Sequence, residues 1–234
     1  MENNQEFQLG CPGTSFETDS SELKHGKCVS GEFEVDSDQV NTLSDLGCSR
    51  QPVYNTEPVG YCGPDGQSQL IRIEFNVDPE LDDEAVTITV CHDQVSSAAL
   101  WSQHTIYDEI AARDTGNNRP SFDDEYFNYD VDHYYKTATQ RETVAELVGS
   151  QALADKYIGD QSSQLFLSRG HLAPNADFIF YSWQDSTFFF INVAPQWQSF
   201  NGRNWNTFEQ ACRNFAVDRN LDLVVYTGDF KLFQ

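Results

Sequence analysis

Ser168-Arg-Gly-His-Leu-Ala-Pro-Asn-Ala-Asp177 and, further on, Asn192-Val-Ala-Pro-Gln-Trp-Gln-Ser-Phe-Asn201-Gly-Arg-Asn-Trp-Asn-Thr-Phe-Glu209 are the two stretches that decide the fold. In the first, His171 follows a glycine, which permits tight backbone geometry, and Arg169 stands just ahead of it. A lone histidine is more often structural. Beside an arginine in a Gly/Pro-shaped turn, it becomes a candidate base next to a phosphate clamp. In the second, Asn192 interrupts the apolar run Phe188–Val193, which has the length of a strand and leaves its amide in need of a partner. A helix is expected over Arg203–Asp218, with Trp205, Phe208, Cys212 and Phe215 on its apolar stripe. Asn201 opens that helix, where capping is the ordinary role of asparagine. Asn201, Trp205 and Glu209 are spaced i, i+4, i+8 and drift by only about 80° around one helical face. An amide oxygen and a carboxylate on one face suit a hard cation that keeps most of its waters, as Mg²⁺ does.

Outward from these stretches the texture divides. Residues 1–98 read as β: Ile71, Ile73, Phe75 and Val77 alternate, as do Val86, Ile88 and Val90, with the polar turn Asp78-Pro-Glu-Leu-Asp-Asp between them. Glycines and prolines cut the earlier part into short strands and loops. From about Leu100 a loop, Arg113 to Phe122, leads into the acidic, tyrosine-rich stretch Asp123 to Tyr135. Its carboxylates lack EF-hand spacing and the EF-hand glycine, so a solvated acidic loop is expected in place of a Ca²⁺ site. Val144, Leu147, Val148 and Leu153 predict short helices through 141–158, and Leu221–Tyr226 predicts a strand that Thr227-Gly228 turns out of. His104 lies near the start of this second region, outside any motif.

Composition bounds the possibilities without naming one. Hydrophobic residues make up 39% and aromatics 13% of 234 residues, which describes a globular chain able to bury a sizeable core. No apolar run approaches the roughly 20 residues needed to cross a bilayer, and Met1-Glu-Asn-Asn-Gln has no leader-like pattern. Cys11, Cys28, Cys48, Cys62 and Cys91 lack zinc-ligand spacing, so disulfides in an oxidising compartment are expected. Cys11–Cys28 and Cys48–Cys62 are the expected local pairs, each closing a loop on the order of 15 residues. Cys212 is open to reading as a buried thiol or as half of a bridge. The net charge of −23 argues against a nucleic-acid partner, since phosphate binding draws on basic surface. A few local arginines and a divalent cation nevertheless suffice to hold one phosphate.

Together, Arg169-Gly170-His171, Asn192, Pro195-Gln196, Asn201, Trp205 and Glu209 resemble the signature of the DNA/RNA non-specific endonucleases, with Arg119 at the place of the family's upstream arginine. The resemblance covers roughly residues 98–234, and is nearest to the secreted, double-strand-preferring digestive nucleases of arthropods. It implies an α+β, ββα-metal fold with a central antiparallel sheet, preceded by a β-rich disulfide-bearing region, with domains over 1–98 and 99–234. It also implies a secreted, Mg²⁺-dependent enzyme (Mn²⁺ being the substitute ion) that cuts duplex DNA and RNA and has no membrane partner. His171 is then the general base, Arg169 and Arg119 hold the phosphate, Glu209 orients water, Asn192 and Gln196 position substrate, and Asn201 binds the metal. Two departures stand out: Ser168 replaces the family's usual Asp, and family members continue beyond the point corresponding to Gln234, so a C-terminally incomplete domain of low activity is expected. The alternative is a secreted nucleic-acid-binding relative with little or no catalysis.

Overall fold

The computed structural model describes residues 4–30, 32–36, 38–40, 46–78, 83–116, 119–160 and 162–228. The chain parts into two compact units, Met1–Glu57 with Arg72–Thr87 and Pro58–Ile71 with Ile88–Gln234, which interleave in sequence.

In the first unit, β1 (Glu6–Gly10), β2 (Leu23–Val29), β3 (Glu32–Val35) and β4 (Asp38–Val40) form an antiparallel sheet in the order β1-β2-β3-β4. Lys24 is buried there between Asp19 at 2.5 Å and Asp36 at 3.0 Å. The disulfides differ from the expected local pairs: Cys11 bonds Cys48, Cys62 bonds Cys91, and Cys28 and Cys212 are free thiols. Cys48 reaches Cys11 because a bridge pairs Phe16 with Cys48, bringing the two Cα atoms to 5.6 Å. Cys28 instead lies buried on β2, opposite Phe33. The bonds close separations of 37 and 29 residues, worth about 4 kcal/mol each in the chain-entropy model.

The long strands follow as β5 (Asn55–Cys62), β6 (Ser68–Asp78), β7 (Asp83–Asp93) and β8 (Ala98–Ile106). Alternation places Ile71, Ile73 and Phe75 of β6 and Ile88 and Val90 of β7 in the core, whereas Val86 is exposed. The expected turn between β6 and β7 falls largely on 79–82, outside the described residues, as do 117–118 of the loop before the acidic stretch. Three helices come next: α1 (Val131–Tyr134), α2 (Thr137–Val148) and α3 (Gln151–Tyr157). Asp130 caps α1 and Ser150 caps α3 through their side chains, and Gly149 ends α2 at φ 66°, a conformation that favours glycine.

After β9 (Leu167–His171) and α4 (Tyr181–Asp185), Phe190–Asn192 forms a 3₁₀ turn and β10 covers Val193–Trp197. The expected strand over 188–193 is therefore displaced. Phe188, Phe189, Phe190 and Ile191 are all buried, and a short run without alternation does not distinguish a strand from a buried turn. The final helix is longer than expected and starts before Asn201: α5 (Gln198–Phe200) runs through a π-helical turn, Asn201–Trp205, into α6 (Asn206–Arg219). β11 (Leu223–Gly228) includes Thr227 and Gly228, and it pairs antiparallel with β8 from Leu223 opposite Ile106 to Gly228 opposite Trp101. The resulting five-stranded antiparallel sheet has the order β11-β8-β7-β6-β5. Ile106, Ile110 and Ala216 form a core cluster with Cys212, Leu223 and Val225 packed against it, which fastens α6 to the sheet. A second cluster, Val131, Phe190 and Val193, seats α1 beside β10.

Candidate active site

β9, the turn after it and the α5–α6 helix line a cleft of about 640 Å³, with β10 paired behind β9. Arg119, Arg169, His171, Asn201 and Glu209 all line it. Asn192 and Gln196 do not.

His171 ends β9, with its ring packed against Phe122 at 5.2 Å and Phe188 at 5.1 Å between centroids. Burial, helped by the Arg119 guanidinium, pushes its pKa down to about 3, so the imidazole is neutral at physiological pH. Its Nε2 is buried and has no hydrogen-bond partner among the described residues. The backbone after it is pinned by Asn192, which is fully buried. Asn192 Oδ1 accepts from Ala173 N at 2.9 Å and from Ser102 Oγ at 3.1 Å. Its Nδ2 donates to Ala173 O at 2.9 Å and Thr187 O at 3.1 Å. With its amide engaged within the protein, Asn192 shapes the histidine loop from behind and does not line the cleft. Gln196, opposite Ser168 on the paired strand, lays its side chain over Gly170, where an added Cβ would meet its Cδ at 2.4 Å. Any larger residue ahead of His171 would have to push the Gln196 side chain aside.

Asn201 is helical at φ −55° and ψ −50°, so it does not cap the helix. Its Nδ2 donates to Ser168 Oγ at 3.0 Å, and Ser168 Oγ donates to Gln196 O at 3.0 Å. This relay fixes the amide and leaves Oδ1 as the acceptor available in the cleft. The wide turn also changes which residues share its face. A π turn repeats near i+5, so Asn206, not Trp205, lies on the cleft side with Asn201 and Glu209. Trp205 packs instead between Phe200 at 5.9 Å and Phe208 at 5.8 Å.

Burial, then the nearby Asp177 carboxylate, push Glu209 up to about 7, with Arg213 opposing. Behind it Arg213 Nη1 donates to Asp177 Oδ1 at 2.5 Å, and His104 Nε2 lies 2.8 Å from Asp177 Oδ2. All three side chains are at least 96% buried. This network ties α6 to the turn after His171 and to β8. Sequence reasoning missed Asp177 and Arg213, although Arg213 follows Glu209 by one helical turn and is a readable i, i+4 pairing.

Arg169 pairs with Asp132 and lies over the Tyr135, Phe122 and Phe190 rings. Burial pushes the Tyr135 phenol up, keeping it neutral. The acidic stretch is accordingly more than a solvated loop: Asp130 caps α1, the Asp123 backbone bonds Phe188 and Phe190, and Asp132 reaches Arg169.

The donor set fits a magnesium ion held by one protein oxygen and by water. Asn201 Oδ1 is a hard donor fixed in place, with the Glu209 carboxylate on the same helical wall. Among the described residues, the one group of three His, Cys, Asp or Glu with ligand atoms close together is Asp108, Glu109 and Asp222, away from this cleft. The cleft itself offers no all-protein cage.

The profile of the DNA/RNA non-specific endonuclease family matches residues 67–230. A salivary endonuclease of Lutzomyia longipalpis is 30% identical over 207 residues, covering 86% of this chain and 48% of that protein. Salivary protein Tsal1 of Glossina morsitans morsitans is 23% identical over 234 residues, covering 97% and 56% respectively. A salivary endonuclease of Culex quinquefasciatus is 32% identical over 68 residues, which is 28% of this chain and 19% of that protein. The chain spans about half the length of the first two relatives.

Proposed function

Because the chain belongs to the DNA/RNA non-specific endonuclease family, we propose that it is a secreted, Mg²⁺-dependent endonuclease hydrolysing phosphodiester bonds of DNA and RNA. The observation that carries this reading is the neutral, unpartnered Nε2 of His171 in a cleft that also holds Arg119, Arg169 and Asn201. His171 Nε2 accepts a proton from water, and that water attacks phosphorus in line with the departing 3′ oxygen. Arg119 and Arg169 hold the phosphate oxygens and offset the charge that develops on them. Asn201 Oδ1 would hold Mg²⁺, or Mn²⁺ as substitute, which supplies charge neutralisation at the phosphate and at the leaving oxygen. Glu209, eight residues along the same helix, orients water beside Asn201. These contacts address the phosphate backbone, so base sequence and the 2′-hydroxyl matter little, and duplex substrates are expected.

Two disulfides and the salivary origin of the named relatives support secretion. Binding without cleavage is the competing reading, and Ser168 in place of the family's Asp is what favours it. Against it, Ser168 Oγ accepts from Asn201 and keeps the amide aligned. Plasmid DNA and duplex RNA incubated with the protein, with and without EDTA, decide between the two. Metal-dependent nicking of both substrates is expected, and binding of either without cleavage at any Mg²⁺ or Mn²⁺ concentration would leave only the competing reading.

A further inference from the structure

Arg169 is already engaged before any phosphate arrives. Its guanidinium carbon lies 4.9 Å from the Tyr135 ring centre, 5.6 Å from Phe122 and 5.8 Å from Phe190. Tyr135 in turn stacks on Phe190, with centroids 5.9 Å apart and planes at 12°. Arg169 Nη2 donates to Asp132, whose turn is braced by the Asp130 side chain accepting from His133 N at 3.0 Å. The Asp132 side chain remains 55% exposed and that of Arg169 32%, while the Nε of Arg169 is buried and has no partner among the described residues.

A carboxylate on a phosphate-holding arginine has two separable effects. It fixes the guanidinium in one pose within the aromatic box, and it cancels part of the charge offered to the substrate. Affinity given equally to substrate and transition state does not raise the turnover rate, whereas a fixed pose does. We infer that Asp132 is a positioning residue for Arg169: it holds the guanidinium aligned for the transition state and withholds charge from ground-state nucleic acid. The inference rests on the nuclease reading given above. It also accounts for an acidic residue within reach of a phosphate clamp, which otherwise only opposes binding.

The two effects separate in a pair of variants. Asp132→Asn keeps an oxygen acceptor for Arg169 and removes the charge, and Asp132→Ala removes both. Asp132→Asn should lower KM for plasmid DNA about two- to fivefold, the scale of a partly exposed ion pair, and keep kcat within about twofold. Asp132→Ala should lower KM similarly and reduce kcat about tenfold as the guanidinium loses its pose. With a short fluorescein-labelled DNA duplex in EDTA, fluorescence anisotropy should show tighter binding by both variants. The slope of log affinity against log salt should steepen by up to about one, because a guanidinium no longer offset by a carboxylate releases a further counterion from the phosphate. A purely structural role would lower the melting temperature and kcat without moving KM or the salt slope, and that outcome overturns the inference, as does a raised KM in Asp132→Asn. If the parent binds the duplex but never cuts it, the nuclease reading fails, and unchanged affinity and slope in Asp132→Asn then overturn the inference on its own. A parent that neither binds nor cuts overturns both.

Discussion

On the β9 wall of the cleft, burial and the neighbouring Arg119 push His171 down to about 3, while on the helical wall burial and Asp177 push Glu209 up to about 7. Desolvation disfavours the charged form of either group, so one cause moves a base and an acid in opposite directions. At neutral pH the histidine carries no charge and the glutamate only part of one. Arg119 and Arg169 are the fixed cations of the lining, in a chain whose net charge is −23. Whole-chain charge therefore misjudges the cleft. The two walls also differ in what braces them: a neutral amide, Asn192, behind the histidine, and a charged pair, Asp177–Arg213, behind the glutamate.

The largest expected effect breaks the histidine wall. His171→Ala should lower Mg²⁺-dependent plasmid cleavage by about 10²–10⁴-fold or more while leaving the melting temperature and duplex binding near those of the parent. A folded variant cutting within tenfold of the parent would falsify the assignment of the base. Next is the brace of the other wall. Asp177→Asn leaves a buried arginine without its counter-charge and should cost about 3–5 kcal/mol in denaturant titration. A loss below about 1 kcal/mol would mean that the pair does not anchor the helix. Asn201→Ala should follow, raising the Mg²⁺ concentration needed for half-maximal cleavage and lowering the maximal rate together, without the stability loss of a missing helix cap. Lower melting with an unchanged Mg²⁺ response would remove its ligand role.

The smallest effect, on stability alone, sharpens the contrast in sign. Glu209 in the folded state titrates near 7, above its ordinary 4.5, so its contribution becomes destabilising as pH rises through that window. Metal-free Glu209→Gln should melt above the parent at about pH 8 and lose that advantage by about pH 4. His171 titrates below its ordinary 6.5, and burial lowers His92 as well, so the folded state loses stability as pH falls from 6.5 toward 3. His92, with both ring nitrogens unpartnered, packs on Phe127 at 5.3 Å. His92→Leu should flatten this acid limb in melting curves between about pH 7 and 4, and an unchanged slope would show that His92 does not contribute to it.

Contiguous pattern made much of this legible. Alternation in β6 and β7 follows from the two-residue period of a pleated strand, and α2, α3 and α6 form close to the expected segments. Phe208 and Phe215 of the expected α6 stripe, like Leu147, Val148 and Leu153, are nevertheless exposed, and α6 buries Arg213 and Ala216 instead. The motif resemblance singled out Arg169, His171, Asn201 and Glu209, and the fold brings all four to one cleft. Where the local signal was ambiguous, the expectation slipped: the run 188–193 has no period to distinguish a strand from a buried turn, and Asn201 satisfies the residue preference of a cap without occupying one. The i, i+4 spacing of Trp205 presumed an ordinary helix, and nothing local announces the wide turn that exchanges it for Asn206.

The sequence by itself therefore determined most of the strands and helices and singled out the side chains proposed for the chemistry, since both depend on residue type and on the period of adjoining backbone. Only the tertiary structure decided who meets whom at a distance. Cys48 takes Cys11 and not a nearer thiol, Asn192 bonds Ser102 across 90 residues, Asp177 lies between Arg213 and His104, and Asp132 claims Arg169. Those partnerships arise because close packing leaves each buried polar group only the neighbours the fold brings to it, and an unmet donor or acceptor there costs about 1–3 kcal/mol.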